Sequence, residues 1–557
     1  MGSYLGSFIE HISRGRINWR WGIFGGGLAL GLGLPALALS DSVGVDGIDA
    51  LRLHAAPYNL TGRKIAIGQV EIGRVGQFGI DKIAFESMPF GVAQALQLDG
   101  PAVPDEFVDG HATNVASVMI SQDKVLTGVA PDALLFAAAV GPLPDGSGQP
   151  VECLTTQAVA LRNSSDVRAI NFSFGEPLFR DPRTNAALDG NALLTQCVDW
   201  SNRVHDTLYV IAGNQGNGGI PLPTDNFNGI NVAYSTQVDG RFTRVDYANL
   251  TSEPDFPPFR GGQPESNVGA RRSINLVAPG SNIEMFAPDG RRITSSGTSF
   301  AAPHVVATVA LLQEYGDRQI RETGWTLNAR QPMVTKAVLL NSADKLQDRG
   351  DGLLLGMART LIDETNRTWI DGDAYRDPAI PLHSELGTGH LNAIRAYQQF
   401  SAGAYSVGAD STGLIPAVGW AYDALESELP PQNLPETGLN TLVKDYVFEQ
   451  PLVAGSYLSA TLAWERVVVL NDQDGDGLYD EGESFSDRGL NNLDLYLLPA
   501  DSDNLADSVW SSVSEVDSVE HIFHPIAQTG QYKLRVVYRQ RVNDDIVQRF
   551  ALAWRGV

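Results

Sequence analysis

Between Ala301 and Leu312 the chain reads Ala-Ala-Pro-His-Val-Val-Ala-Thr-Val-Ala-Leu-Leu, a run of small and apolar residues with almost no polar side. Such a segment is stable as a helix only when most of its circumference is buried, so the chain must build a large core around it. Gly297-Thr298-Ser299-Phe300 leads into the run, with Gly297 allowing a sharp turn. Ser299 therefore falls in the first helical turn, beside unpaired N–H groups and the positive end of the helix dipole. That placement suits an N-cap. It equally suits a nucleophile, because negative charge developing on a substrate oxygen is stabilised there.

A nucleophilic serine needs a base and an acid to orient it. Asp109-Gly110-His111-Ala112-Thr113-Asn114-Val115-Ala116-Ser117 sets His111 at the start of another apolar helical run. Ile65-Ala66-Ile67-Gly68-Gln69-Val70-Glu71-Ile72-Gly73 reads as a buried strand ending in a carboxylate and a glycine turn. Asp81, after a glycine-rich turn, is the rival acid. Tyr209-Val210-Ile211-Ala212-Gly213-Asn214 is an apolar strand running into an asparagine, either a turn residue or a donor to an oxyanion.

Together these strings resemble the subtilisin-like serine proteases, the subtilases. Gly-Thr-Ser-x-Ala-x-Pro is similar to the family's nucleophile motif, and the order acid, histidine, serine is the subtilisin order. The resemblance implies Ser299 as nucleophile, His111 as base, Glu71 as acid and Asn214 as oxyanion donor beside the Ser299 N–H. Ala112, Asn114 and Ser117 depart from the family's histidine motif. Glu71 stands where an aspartate is usual, and its extra methylene moves the carboxylate by roughly 1.5 Å, about one bond length. Ala169-Ile170-Asn171-Phe172-Ser173-Phe174-Gly175 resembles the family's substrate strand, which implies that Ser173, Phe174 and Gly175 pair with an extended substrate backbone. Relatives with a similar Gly-Thr-Ser string but Glu and Asp in place of histidine fit less well, because the His111 motif is present. The departures leave a second reading, a subtilase-fold binding module of weak or no activity.

Short Val/Ile/Ala-rich strands alternating with helices over residues 61–400 argue an α/β fold with a parallel sheet covered by helices on both faces. Residues 401–440 are rich in Gly, Ser and Pro and read as a linker. Beyond, Leu458–Trp464, Leu493–Leu498, Tyr532–Tyr538 and Phe550–Trp554 alternate apolar and polar residues, predicting a small β-sandwich over 441–557. Within it, Asp472-Gln473-Asp474-Gly475-Asp476-Gly477, with Glu483 beyond, matches a calcium loop grafted between strands. A structural calcium on Asp472, Asp474, Asp476 and Glu483 and a solvated acidic turn are the two readings. Catalysis needs no cofactor.

Arg14, Arg16 and Arg20 precede an uncharged Gly/Leu/Ala-rich stretch from Trp21 to Ser40. Residues 1–40 are therefore a cleaved export signal or a membrane anchor. Residues 41–60 form a short pre-segment, too short for a large folding prodomain. Export admits a disulfide between Cys153 and Cys197, the two cysteines of the chain; free thiols are the alternative. The formal net charge of −25 excludes a nucleic-acid partner, since a phosphate backbone needs a basic surface. The expected partners are polypeptide substrates, with a membrane only through an uncleaved N-terminal segment, and the expected location is secreted, periplasmic or cell-surface.

Overall fold

The computed structural model describes residues 39–142, 146–213, 222–246, 267–268, 271–408, 410–426, 432–433 and 442–557. The N-terminal segment proposed as signal or anchor lies outside them, apart from its last two residues. Among the described residues no helix is long and apolar enough to cross a membrane.

The strand that carries Glu71 sits in the middle of a nine-stranded sheet. Its strands are β1 (Ala66–Glu71), β2 (Gln94–Gln97), β3 (Gly100–Pro101), β4 (Leu134–Ala139), β5 (Val167–Phe172), β6 (Leu208–Ala212), β7 (Ile230–Val238), β8 (Arg241–Asp246) and β9 (Leu276–Pro279). The spatial order is β9-β7-β6-β5-β1-β4-β2-β3, with β8 paired to β7. Apart from the antiparallel additions β3 and β8, all neighbours are parallel. Strands β1 and β5 are buried along their whole length, which is why they read as unbroken apolar runs. From β1 the chain builds outward in both directions, so the carboxyl end of β1 lies at a topological switch point, where open α/β sheets place their ligands.

Eight helices matter for the site: α1 (Leu39–Val43), α2 (Leu51–His54), α3 (Gly110–Ile120), α4 (Gln149–Ala160), α5 (Leu193–Val204), α6 (Thr298–Glu322), α7 (Pro332–Asn341) and α8 (Ala393–Ser401). Helix α6 packs across β5, β6 and β7 and against α3, while α4 and α5 pair elsewhere and join an apolar cluster on the other side of the sheet. Every residue from Ala301 to Leu312 is buried, as the composition demanded. The one imidazole in that run, His304, is satisfied on both nitrogens, Nδ1 with the Phe300 carbonyl at 2.7 Å and Nε2 with Ser42 Oγ at 2.9 Å. Burial drives its pKa down to about 4, so it stays neutral. Its partner Ser42 lies in the segment expected to be a mere pre-segment. Val43, Ile48, Ala50, Leu53 and Leu60 are all buried in the main core, so residues 43–60 are part of the domain.

The region 401–440 differs from the linker expected there. It holds strands Thr412–Ile415 and Val418–Glu426, the second in antiparallel register with Val547–Arg555 along its whole length. Gly and Ser in this stretch mark tight packing as well as turns: a Cβ on Gly419 would come within 2.7 Å of the Trp554 ring. The C-terminal strands form a six-stranded and a four-stranded sheet. Side chains from both share one apolar cluster, including Tyr446, Leu495 and Leu534 from the first and Leu462, Phe550 and Trp554 from the second. The four-stranded sheet turns its other face to α7, so Tyr457–Trp464 is buried on both sides from Leu458 onward.

Candidate active site

The candidate acid and base come from two different elements. Glu71 is the last residue of β1, and His111 is the second residue of α3, whose N-cap Asp109 accepts from the Ala112 N–H at 3.3 Å. His111 Nδ1 lies 3.3 Å from Glu71 Oε2. Two features hold these elements together. Gln69, two residues before Glu71 and buried, donates from Nε2 to the Ala112 carbonyl at 2.8 Å. Gly73 lets the exit from β1 pass beneath the helix start, where a Cβ would fall 2.4 Å from Asp109 Cβ and 2.8 Å from the Phe107 carbonyl.

Burial raises the Glu71 carboxyl above its ordinary range, opposed by the charge of His111 and its hydrogen bond. The second oxygen, Oε1, is buried and accepts no hydrogen bond among the described residues. For His111 burial acts downward, but the Glu71 carboxylate, its hydrogen bond and then Asp109 outweigh it, and the net shift is upward from 6.5. With the ring about a third exposed (37%), the imidazole faces solvent on one side and a desolvated carboxylate on the other.

Asp81, the rival acid, has another task. Its two oxygens accept from Arg74 Nη1 and Nη2, each at 2.6 Å, in a wholly buried bidentate pair. Its pKa is lowered despite its burial, through hydrogen bonds from Arg74 and from the N–H groups of Gln77 and Asp105. It organises the loop between β1 and α3.

Ser299 is the second residue of α6, and the ring of its neighbour Phe300 lies 5.6 Å from that of His111, centroid to centroid. The structure thus brings the first turn of α6 to His111. Ser299 Oγ donates to the Ser173 carbonyl at 3.3 Å, not to His111. The return bond explains Pro303. A proline has no N–H, so the Ser299 carbonyl four residues earlier loses its helical donor. Ser173 Oγ supplies the replacement at 2.9 Å and itself accepts from Asn171 Nδ2 at 2.8 Å. The substrate-strand motif and the nucleophile helix are therefore locked together one residue beyond β5. Phe174 stacks on Phe172 with centroids 5.0 Å apart. Asn214 lies outside the described residues, although β6 runs to Ala212, two residues before it.

Far from this cleft, the acidic loop joins the antiparallel strands Val467–Asn471 and Ser484–Gly489. Asp472, Asp474 and Asp476 each bring a carboxylate oxygen within 4.8 Å of the others. Gly475 and Gly477 hold the left-handed turns this needs, at φ of 83° and 80°. Glu483 is not in that cluster. Its oxygens accept from the Gln473 N–H at 2.6 Å and the Asp480 N–H at 3.0 Å, closing the loop. The hairpin rests on the peptidase-like domain: Tyr479 and Phe485 pack with Cys153, Cys197 and Trp200. The two cysteines, left open by sequence, form a disulfide between α4 and α5 with Cα atoms 5.8 Å apart.

Residues 94–357 match the family model described as the subtilase family. Over that stretch, a little under half of its length, the chain is similar to the subtilases. It is similar to thermitase of Thermoactinomyces vulgaris, 23% identical over 240 residues that cover 43% of this chain and 68% of thermitase. It is also similar to subtilisin DY of Bacillus licheniformis, 26% identical over 48% of this chain and 83% of that protein. The thermostable alkaline protease of Halalkalibacterium halodurans is 25% identical over 38% of this chain, which spans only about half (51%) of that relative. The matched region begins after Glu71 and ends before Asn366, so the β1 strand and the C-terminal sheets lie outside the family match.

Two arrangements at the site were not legible in the sequence. The Arg74–Asp81 pair was hidden because spacing alone does not show which way either side chain turns. Asn171 and Ser173 were visible only as a strand motif. The bond from Ser173 Oγ to the Ser299 carbonyl could have been inferred from Pro303, which leaves that acceptor without its helical donor.

Proposed function

We propose that this chain is an exported serine endopeptidase working through Glu71, His111 and Ser299. Its class, a serine-type endopeptidase and hence a hydrolase, is supported by the subtilase match over residues 94–357 and by the similarity to thermitase and subtilisin DY. The observation that carries the triad is the 3.3 Å contact between His111 Nδ1 and a buried Glu71, with the first turn of the nucleophile helix against the same imidazole. Ser299 Oγ turns from the long bond to Ser173 toward His111 and attacks the substrate carbonyl while His111 Nε2 takes its proton. Glu71 stabilises the imidazolium through Nδ1. The Ser299 N–H and the Asn214 amide receive the oxyanion. Collapse returns the proton to the leaving amine and leaves an acyl-enzyme, which water hydrolyses by the reverse sequence. Ser173, Phe174 and Gly175 pair with the substrate backbone.

The C-terminal sheets form a β-sandwich, and its acidic hairpin holds a structural calcium. The donor set fits: three converging carboxylates are hard oxygen ligands, and two glycines supply the turns. Asp472, Asp474 and Asp476 would hold the ion and Glu483 would brace the loop. The arginines before the apolar stretch 21–40 support export.

A fluorophosphonate probe tests the reading. It should label Ser299 in the folded protein, and Glu71→Gln should lower kcat/KM by roughly three to four orders of magnitude, as loss of the charged partner does in other triads. Asp81→Asn should act on stability instead. A folded protein that resists the probe would be a binding module, and a turnover loss confined to Asp81→Asn would move the acid.

A further inference from the structure

We propose that a cleft at the amino end of β1 binds a phosphate group, either the free ion or the headgroup of an anionic lipid. The cleft has a volume of about 230 Å³ and runs between Arg63 and Lys64, just before β1, and Glu314, Asp317, Arg318 and Arg321 of α6. A water needs about 10–15 Å³ of such volume, so a small tetrahedral ion and its remaining waters fit. The site is remote from the chemistry: Glu71 closes the other end of β1, roughly 20 Å away at about 3.3 Å per strand residue. It therefore stands apart from the endopeptidase reading.

Four cations against two carboxylates leave the lining at +2, in a chain whose formal net charge is −25. Both carboxylates are already committed. Buried Glu314 accepts from the N–H groups of Thr61, Gly62 and Arg63 at 2.8, 2.8 and 3.1 Å, and pairs with Arg63 Nη2 at 2.9 Å and Arg318 Nη2 at 3.3 Å. Asp317 is held by two arginines outside the lining, accepting from Arg330 Nε at 2.9 Å and from Arg168 Nη2 at 3.2 Å. Lys64 and Arg321 are exposed and have no hydrogen-bond or ion-pair partner among the described residues. Glu314 thus fixes Arg63 and Arg318 in place, while Lys64 and Arg321 face the same cleft with their donors unused. Cations gathered in a concave site focus an attractive field on an anion, and the planar guanidinium matches phosphate oxygens in pairs. A phosphate bound here bridges the entry of β1 to the outer turns of α6, the far ends of the two elements that carry Glu71 and Ser299. It clamps the strand to the helix without touching the catalytic end of either.

Titration calorimetry of the full chain with sodium phosphate, set against sodium chloride at equal ionic strength and without added calcium, tests the site. Matching the ionic strength removes general screening, which acts on all exposed charges alike. Phosphate should bind saturably and raise the unfolding midpoint where chloride does not. Lys64→Ala and Arg321→Ala should each weaken binding by roughly ten- to a hundredfold, the range of a lost hydrogen bond to a charged group. Both side chains are exposed and hold nothing else, so neither variant should lose its fold. Vesicles of phosphatidylglycerol beside vesicles of phosphatidylcholine separate the two sources. Saturable heat from inorganic phosphate, lost in the variants, assigns the free ion; retention on phosphatidylglycerol alone that depends on Lys64 and Arg321, with no heat from inorganic phosphate, assigns the headgroup. No heat together with equal retention on both vesicles, or binding that both alanine variants leave unchanged, would overturn the proposal and reduce the four cations to a solvated face.

Discussion

Glu71, the acid of the proposed triad, is one methylene longer than the usual aspartate, and its surroundings leave room for it. Gly73 removes the side chain that would strike Asp109, and Gln69 ties the strand to the carbonyl beside His111. Asp109 caps α3 and also adds its charge to the field that raises the imidazole. The base must be neutral to act, so an upward shift sets the acidic limb of kcat/KM above pH 6.5. Asp109→Asn keeps a good cap and removes the charge. Its limb should move to lower pH while the plateau rate changes little, read from a kcat/KM profile between pH 5 and 9. A limb that stays in place would assign the shift to Glu71 alone. The strings around the proposed Ser299, His111 and Glu71 were legible because the neighbours of each residue dictate its local structure. Asp81 looked like a rival because a carboxylate in a loop carries no sign of its partner; only the folded loop shows it held by Arg74.

At the scale of elements, the acidic hairpin and the disulfide make one unit. The hairpin presents Tyr479 from its loop and Phe485 from its second strand, Ser484–Gly489, to the α4–α5 disulfide, and Gln157 of α4 exchanges two hydrogen bonds with the Tyr479 backbone, at 2.6 and 3.1 Å. An ion that binds only this folded hairpin stabilises the protein by RT ln(1 + [Ca]/Kd), about 2.7 kcal/mol at a hundredfold excess. The unfolding midpoint of the full chain should therefore be higher with calcium than with chelator, and Asp474→Ala with Asp476→Ala should abolish the difference. Equal midpoints for the unaltered chain would reduce the aspartates to a solvated turn. The loop itself was legible from alternating aspartates and glycines. The role of Glu483 was not, since its carboxylate satisfies backbone N–H groups that only the closed loop brings to it. The strands between 401 and 440 escaped for a related reason: Gly419 there leaves room for Trp554, which composition reads as flexibility.

For the whole molecule, the catalytic sheet and the C-terminal sheets share their walls. Helix α7 lies between β6 and the strands Tyr457–Trp464 and Val547–Arg555. Asn341 at its end accepts from Ser459 Oγ at 2.9 Å and from Thr461 Oγ1 at 3.2 Å. Phe400 of α8 stacks on Trp420 with centroids 5.7 Å apart, and Trp420 Nε1 donates to the Phe400 carbonyl at 2.9 Å. Arg466 enters from the other side to pair with buried Asp199 at 2.7 Å. Breaking such a pair by removing one partner leaves a buried charge uncompensated, at a cost of about 3–5 kcal/mol. A chain ending at residue 400 would strip all of these contacts at once and expose the apolar sides of α7 and α8, although every triad residue would remain. It should aggregate on expression and give no probe labelling at Ser299, whereas the full chain labels. A soluble chain of residues 1–400 that titrates with the fluorophosphonate as fully as the intact protein would show that the two halves are independent.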